Sequence, residues 1–169
     1  DVHGSRGLGD VYKRQAVIRT VNSKHYAESD DLLVSKEDLK NCSGMIIGSP
    51  THFGNMAAPL KDFFDNTTEE WLNNTLESKL GGVFTSTSSM HGGQETTLLS
   101  MMLPLFHHGM LIAGVPYSVK ELSSTKSGGT PYGPSHVAHN QNSELTSEEK
   151  AICISYGKRF AQIINGMNI

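Results

Sequence analysis

Residues 45–56, MIIGSPTHFGNM, constrain this chain more than any other stretch: a short apolar run stops abruptly at small and polar residues around one aromatic. Opened by Gly44 and closed by Gly48-Ser49-Pro50, such a run predicts a buried parallel strand whose carboxyl end delivers a ligand-binding loop. Residues 80–85 (LGGVFT) and 110–115 (MLIAGV) read the same way, and the β-branched residues 16–21 (AVIRTV) also look like a strand.

Helical signals fall between these runs. Ser35 and Asp38 have capping-box spacing ahead of a short helix through Lys40. Behind Pro59, Leu60, Phe63 and Phe64 recur at helical spacing and predict a helix over 57–66, followed by a linker carrying Trp71. Leu98, Leu99, Met102 and Leu105 predict a helix over 94–108, and a last helix starts near Thr146, with Ser147 and Glu148, and runs to about residue 165. Residues 116–143 read as irregular. Strands that are apolar throughout, alternating with helices, imply an α/β fold: a doubly wound parallel sheet with helices on both faces.

Bulk properties exclude several classes. With 169 residues and 37% hydrophobic content, one domain with its own core is expected. Fourteen basic residues against 17 acidic ones, a net charge of −3, leave no basic footprint for nucleic acid. No apolar stretch approaches the roughly 20 residues of a membrane helix, and no signal-peptide pattern opens the chain, so a soluble, cytoplasmic protein is expected. Cys42 and Cys153 lack C-x-x-C spacing, and His136 and His139 lack carboxylate or thiolate support, so no metal site is expected.

In such a sheet the strand ends share one rim, where converging amides suit an electron-rich planar ligand. The loop of Ser49, Pro50, Thr51, His52, Phe53, Gly54 and Asn55 offers hydroxyl and amide groups beside one ring. The loop from Ser86, Thr87 and Ser88 to Gly92 and Gly93 opens into a helix N-terminus. Either alone could be an ordinary connection; the two together favour a site.

The ordered series G-S-P-T-x-F-G-N-M at 48–56, Trp71, S-T-x-x-x-x-G-G-Q-E at 86–95, H-H-G-M at 107–110 and G-G-T-P-Y-G at 128–133 resembles the WrbA type of NAD(P)H:quinone oxidoreductase. The resemblance covers about residues 16–166. It implies a flavodoxin-like fold, FMN as cofactor, NADH or NADPH as co-substrate, quinones as acceptors, and a homo-tetramer or dimer. By the same resemblance, Thr51, His52 and Phe53 contact the flavin ring, with Pro50, Gly54 and Asn55 beside them. Ser86, Thr87, Ser88 and Gly92 wrap its pyrimidine side, and His107 lies beside it as the catalytic candidate. Trp71 roofs the substrate pocket across a subunit interface. His52 stands where the family often has Arg, and the loop after Ser86 is one residue longer than in the best-known members. Independently of the resemblance, Phe53 and Trp71 also fit core or interface packing, and His107 fits a helix C-terminus.

One departure stands out. Flavodoxin-like domains seat the FMN phosphate in a Ser/Thr/Gly loop after a first strand, whereas here fifteen unpatterned residues precede AVIRTV, which matches the family's second strand. Residues 1–15 are therefore expected to be a non-native leader, and 16–169 a flavodoxin-like domain truncated at its N-terminus, unless AVIRTV slides into the vacant strand position. Loss of about three phosphate contacts at roughly 1.5–3 kcal/mol each predicts FMN binding weaker by about three orders of magnitude or more; a micromolar or tighter affinity would refute it. The function expected is two-electron quinone reduction with NAD(P)H, by ping-pong kinetics. The alternatives are a flavodoxin-like electron carrier, or a non-catalytic assembly or regulatory protein of the same fold.

Overall fold

The computed structural model describes residues 15–21, 31–139 and 144–167. The leader expected over 1–15 lies outside the described residues except for Gln15, as does nearly all of the polar loop that follows AVIRTV.

The sheet is mixed and mainly parallel. Its strands are β1 (Gly44–His52), β2 (Asn55–Met56), β3 (Leu80–Thr87), β4 (Leu111–Ile112) and β5 (Ser135–Val137). The order is β2-β1-β3-β4, and β5 pairs with β3 beyond β4. β1 and β3 run parallel from Gly44 opposite Leu80 to Pro50 opposite Ser86, so their carboxyl ends finish at the same level. β2 returns antiparallel on β1.

The helices are α1 (Lys36–Asn41), α2 (Ala58–Asp65), α3 (Thr68–Leu72), α4 (Gln94–His107), α5 (Glu121–Ser124) and α6 (Ser147–Gly166). Capping boxes start α1, from Ser35 and Asp38, and α6, from Thr146 and Glu149. α4 ends in a Schellman motif: Met110 N–H donates to Leu105 O at 3.1 Å and Gly109 N–H to Phe106 O at 2.9 Å, with Gly109 at φ 74°.

Alternation along the strands divides the two faces. Ile47 and Val83 pack with Leu98, Met101, Met102 and Leu105 of α4 in the main core. On the other face α6 lies so close over Gly82 that a Cβ there would sit 2.1 Å from the Tyr156 hydroxyl. Beyond α6, Ile46 and Phe84 stay exposed.

Several expectations need correction. Residues 16–21 form no strand in the described sheet; Thr20 makes one isolated parallel bridge to Leu33. Arg19 ties the segment to α1 instead, through both oxygens of Asp38 at 2.9 and 3.0 Å. β-branched composition supplies strand propensity but no pairing partner. The linker carrying Trp71 is the helix α3, with Glu69 and Glu70 in its first turn. The third run keeps only two residues of strand, because the chain leaves the sheet after Ala113, whose N–H bonds to Gly81 O at 2.9 Å, and returns as β5; Val115 N–H already bonds to Pro131 O at 2.9 Å.

Tyr156 repairs that interruption. Its hydroxyl accepts from Val83 N–H at 3.1 Å and donates to Ala113 O at 3.0 Å, standing between two groups that a longer β4 would have joined directly. Burial pushes the phenol up to about 12, against the Val83 hydrogen bond that pulls it down. Tyr156→Phe leaves both backbone groups unpaired and is expected to cost about 1–3 kcal/mol in urea unfolding; a loss below about 0.5 kcal/mol would mean the hydroxyl carries no such role.

Candidate functional site

Two strand-end segments meet at the carboxyl rim. Ser49 is buried; its hydroxyl accepts from Ala57 N–H at 2.8 Å, and its carbonyl accepts from the Thr85 hydroxyl at 2.8 Å, so β1 and β3 are pinned together just before they end. What reads in the sequence as a loop over 49–55 is the end of β1, a two-residue turn and β2. Phe53 and Gly54 both take left-handed backbone, φ 52° and 76°, the pattern of a type I′ hairpin. For a phenylalanine this is a strained position, worth of order 1–3 kcal/mol. Its ring is nevertheless 109% exposed, held wholly in solvent at the tip.

The second segment, residues 88–93, leads into α4. The Thr87 hydroxyl accepts from Ser89 N–H at 2.9 Å and also donates to Ser89 O, closing the loop's base. Gly93, at φ 92°, is where the segments touch: a Cβ there would lie 2.8 Å from Gly54 Cα. Thr51 joins them as well, its hydroxyl bonded to Thr97 of α4 and to Gly92 O at 3.4 Å. The first-turn amides of α4 open onto this junction without intrahelical partners.

Pro50, Thr51, His52, Phe53, Gly54, Asn55, Ser86, Thr87, Ser88 and Gly92 therefore gather at one rim. His107 does not join them. It ends α4, and a 14-residue helix separates it from the Gln94 end by about 20 Å. The expectation that His107 lies in the same cradle as Phe53 and Ser86 is corrected for a single chain. His107 pairs instead with the other distant candidate: Trp71 Nε1–H donates to His107 O at 2.9 Å, and both residues are exposed at this corner.

Behind the corner lies a buried polar group absent from the sequence reading. The Thr67 hydroxyl donates to Phe64 O at 2.7 Å, so it accepts from His108 Nε2–H at 2.9 Å. Glu70, also buried, bonds Lys36 at 3.2 Å through one oxygen. Burial lowers the His108 imidazole below its ordinary 6.5, only partly countered by the Glu70 charge, while His107 adds to the lowering.

Two further side chains, Gln94 and Glu149, support the rim. Gln94, the first residue of α4, is buried and uses both ends of its amide, on Met90 and Ser135. Glu149 accepts from Gly128 N–H at 2.8 Å, Val137 N–H at 3.0 Å and Thr146 N–H at 2.9 Å, and from Ser127 Oγ at 2.9 Å. It also meets His136 Nδ1 at 2.9 Å. The signal for Glu149 was the T-x-x-E spacing from Thr146, and for Gln94 its place in the G-G-Q-E series.

Comparisons with known proteins point one way. The profile described as FMN_red, NADPH-dependent FMN reductase, matches residues 8–121, more than half of the chain. An Acidithiobacillus ferrooxidans protein named NAD(P)H dehydrogenase (quinone) is 46% identical over 75% of this chain and 65% of its own length, so the chain spans just under two thirds of that relative. A protein of the same name from Chromohalobacter salexigens is 45% identical over 95% of this chain and 85% of its own. Among solved structures, the flavodoxin, WrbA-like protein from Agrobacterium tumefaciens superposes with a TM-score of 0.63 at 23% identity, covering 79% of this chain and 75% of that one. A flavodoxin from the domain Archaea superposes at 0.53 and 18% identity, covering 78% of this chain and 71% of the other. The chain has a flavodoxin-like α/β fold and belongs to the NADPH-dependent FMN reductase family.

Proposed function

We propose that this chain is an FMN-dependent NAD(P)H:quinone oxidoreductase of the WrbA type, working in the cytoplasm as a homodimer or tetramer. The observation that carries the reading is the junction of the two strand-end segments, with Phe53 held in solvent on strained backbone beside glycines and helix amides. Strain kept at a solvent-facing site supports a functional reading of it. The rim fits a flavin: Gly54, Gly92 and Gly93 let the two segments pack directly on each other at its floor, and the amides of the first turn of α4 favour an electron-rich ring edge. Thr51, Phe53, Ser86, Thr87, Ser88 and Gly92 would hold it, with Pro50, His52, Gly54 and Asn55 shaping the wall. When bound, FMN supplies the two-electron chemistry between nicotinamide and quinone.

What remains for the chain is orientation and a stacked slot. His107 and Trp71 supply that slot in this reading, and their distance from the rim favours their coming from a second copy. α4 supports such an arrangement. Leu99, Leu103 and Phe106, spaced i, i+4, i+7, form an apolar stripe 43%, 61% and 57% exposed. Two copies packed antiparallel across this stripe bring the His107 end of one α4 to the Gln94 end of the other. The relatives' name, NAD(P)H dehydrogenase (quinone), supports the substrate pair.

The test is direct. With FMN in excess, NADH or NADPH oxidation that depends on benzoquinone is expected, with parallel double-reciprocal lines. Nicotinamide-reduced flavin that passes electrons only to a protein acceptor would contradict the reading and favour a carrier.

A further inference from the structure

We infer that Gln94 is a positioning residue that couples the excursion between β4 and β5 to the flavin-side segment 88–93, by fixing the height of Met90. The inference rests on the flavin reading for its activity arm only.

Each link of the coupling is a hydrogen bond between buried or half-buried groups. Glu149 holds Gly128 N–H at 2.8 Å. The next residue, Gly129, donates its N–H to Ser135 Oγ at 2.7 Å. Having accepted there, the Ser135 hydroxyl spends its one proton on Gln94 Oε1. That fixes which way the amide faces, so Nε2 points to Met90 O and donates at 2.7 Å. Met90 sits at the tip of the segment, partly exposed, next to the exposed His91.

The excursion has little room to absorb a change. A Cβ on Gly128 would lie 2.0 Å from Ser135 O, and one on Gly133 would lie 2.2 Å from Val83 O. A displacement there is passed on through Ser135 rather than dissipated. Gln94 suits the relay because one side chain must accept from Ser135 and donate to Met90, and among side chains of this length only an amide does both at neutral pH.

This makes Gln94→Glu an informative variant. The carboxylate still accepts from Ser135 but sets a second oxygen against Met90 O; once protonated, it donates there and restores the parental pattern. Gln94→Met loses both bonds at every pH. The first readout is hydrogen exchange at the Ser89 and Gly92 amides, which bond to Thr87 Oγ1 at 2.9 Å and Ser89 O at 3.1 Å. Relative to the parent at the same pH, exchange in both variants is expected to rise about tenfold at pH 8, one lost buried hydrogen bond. Acidification to pH 5 should return Gln94→Glu toward the parent but not Gln94→Met. Ser135→Ala should raise exchange at the same amides. The second readout is the quinone KM of the FMN-loaded protein, which should follow the same pH pattern in Gln94→Glu while kcat stays flat. Exchange within twofold of the parent in both Gln94 variants, or no recovery of Gln94→Glu in acid, overturns the coupling. Recovery of exchange without recovery of KM overturns the positioning role. A parent without quinone reductase activity defeats the flavin reading, and the exchange measurements then decide the coupling on their own.

Discussion

Glu149→Leu is expected to cost at least about 4 kcal/mol in urea unfolding, because it strips several buried donors of their acceptor at once, each worth about 1–3 kcal/mol when orphaned. Two are buried backbone amides, those of Gly128 and Val137, which cannot turn to solvent without moving the excursion and β5 together, and the part-buried N–H of Thr146 at the start of α6 loses its acceptor as well. Glu149→Gln keeps one acceptor oxygen and should cost far less. The acid limb tests the same group. Burial alone would raise the Glu149 carboxyl, but the His136 contact and the amides of Thr146, Val137 and Gly128 win and hold it at about 2, below the ordinary 4.5. A depressed carboxylate stabilises the fold above its unfolded value and loses that contribution as pH falls. Up to about 3 kcal/mol should therefore disappear between pH 4.5 and 2. Glu149→Gln should flatten that part of the acid limb. A Glu149→Leu protein within 1 kcal/mol of the parent would show that the network is ornamental to stability.

The fold was legible where local and global signals agree. The apolar run at 45–48, Pro59 ahead of Leu60, Phe63 and Phe64, and the periodic 94–108 segment all became the elements expected of them, within a few residues. Misreadings had physical causes. AVIRTV has the composition of a strand, yet the described sheet gives it no partner. The hairpin at 53–54 was hidden because Phe53 occupies a position that Asn, Asp or Gly usually fills. α3 is five residues long, and the Thr67 hydroxyl is turned to Phe64 O instead of capping it.

The site was legible at the rim and not at the corner. Small and hydroxyl residues after two apolar runs locate the ends of neighbouring strands, and Pro50 does lie opposite Ser86. Order along the chain says nothing of distance within one copy, and the length of α4 separates His107 from every other flavin-side candidate. Glu149 and Gln94 escaped notice because their burial comes from the excursion folding onto them, which no local pattern encodes.

If a second copy supplies the corner, as proposed, that separation predicts a second large effect. Gly93→Val places a branched side chain on left-handed backbone against Gly54 and should reduce quinone reductase activity by at least about a hundredfold, the cost of a small misplacement of a reacting group. Trp71→Ala combined with His107→Ala leaves the rim intact and removes the stacked slot, and should raise quinone KM by about tenfold or more. Neither protein is expected to turn over quinone appreciably at low concentrations.

Dissociating these two variants, mixing them in equal amounts and letting them reassociate tests the account most directly. Random pairing makes half of the dimers mixed, and each mixed dimer joins one intact rim to one intact corner, so recovery to about a quarter of parental activity is predicted. If the mixture, shown to have exchanged subunits, is no more active than the average of the two variants alone, the rim and the corner do not form one site between copies.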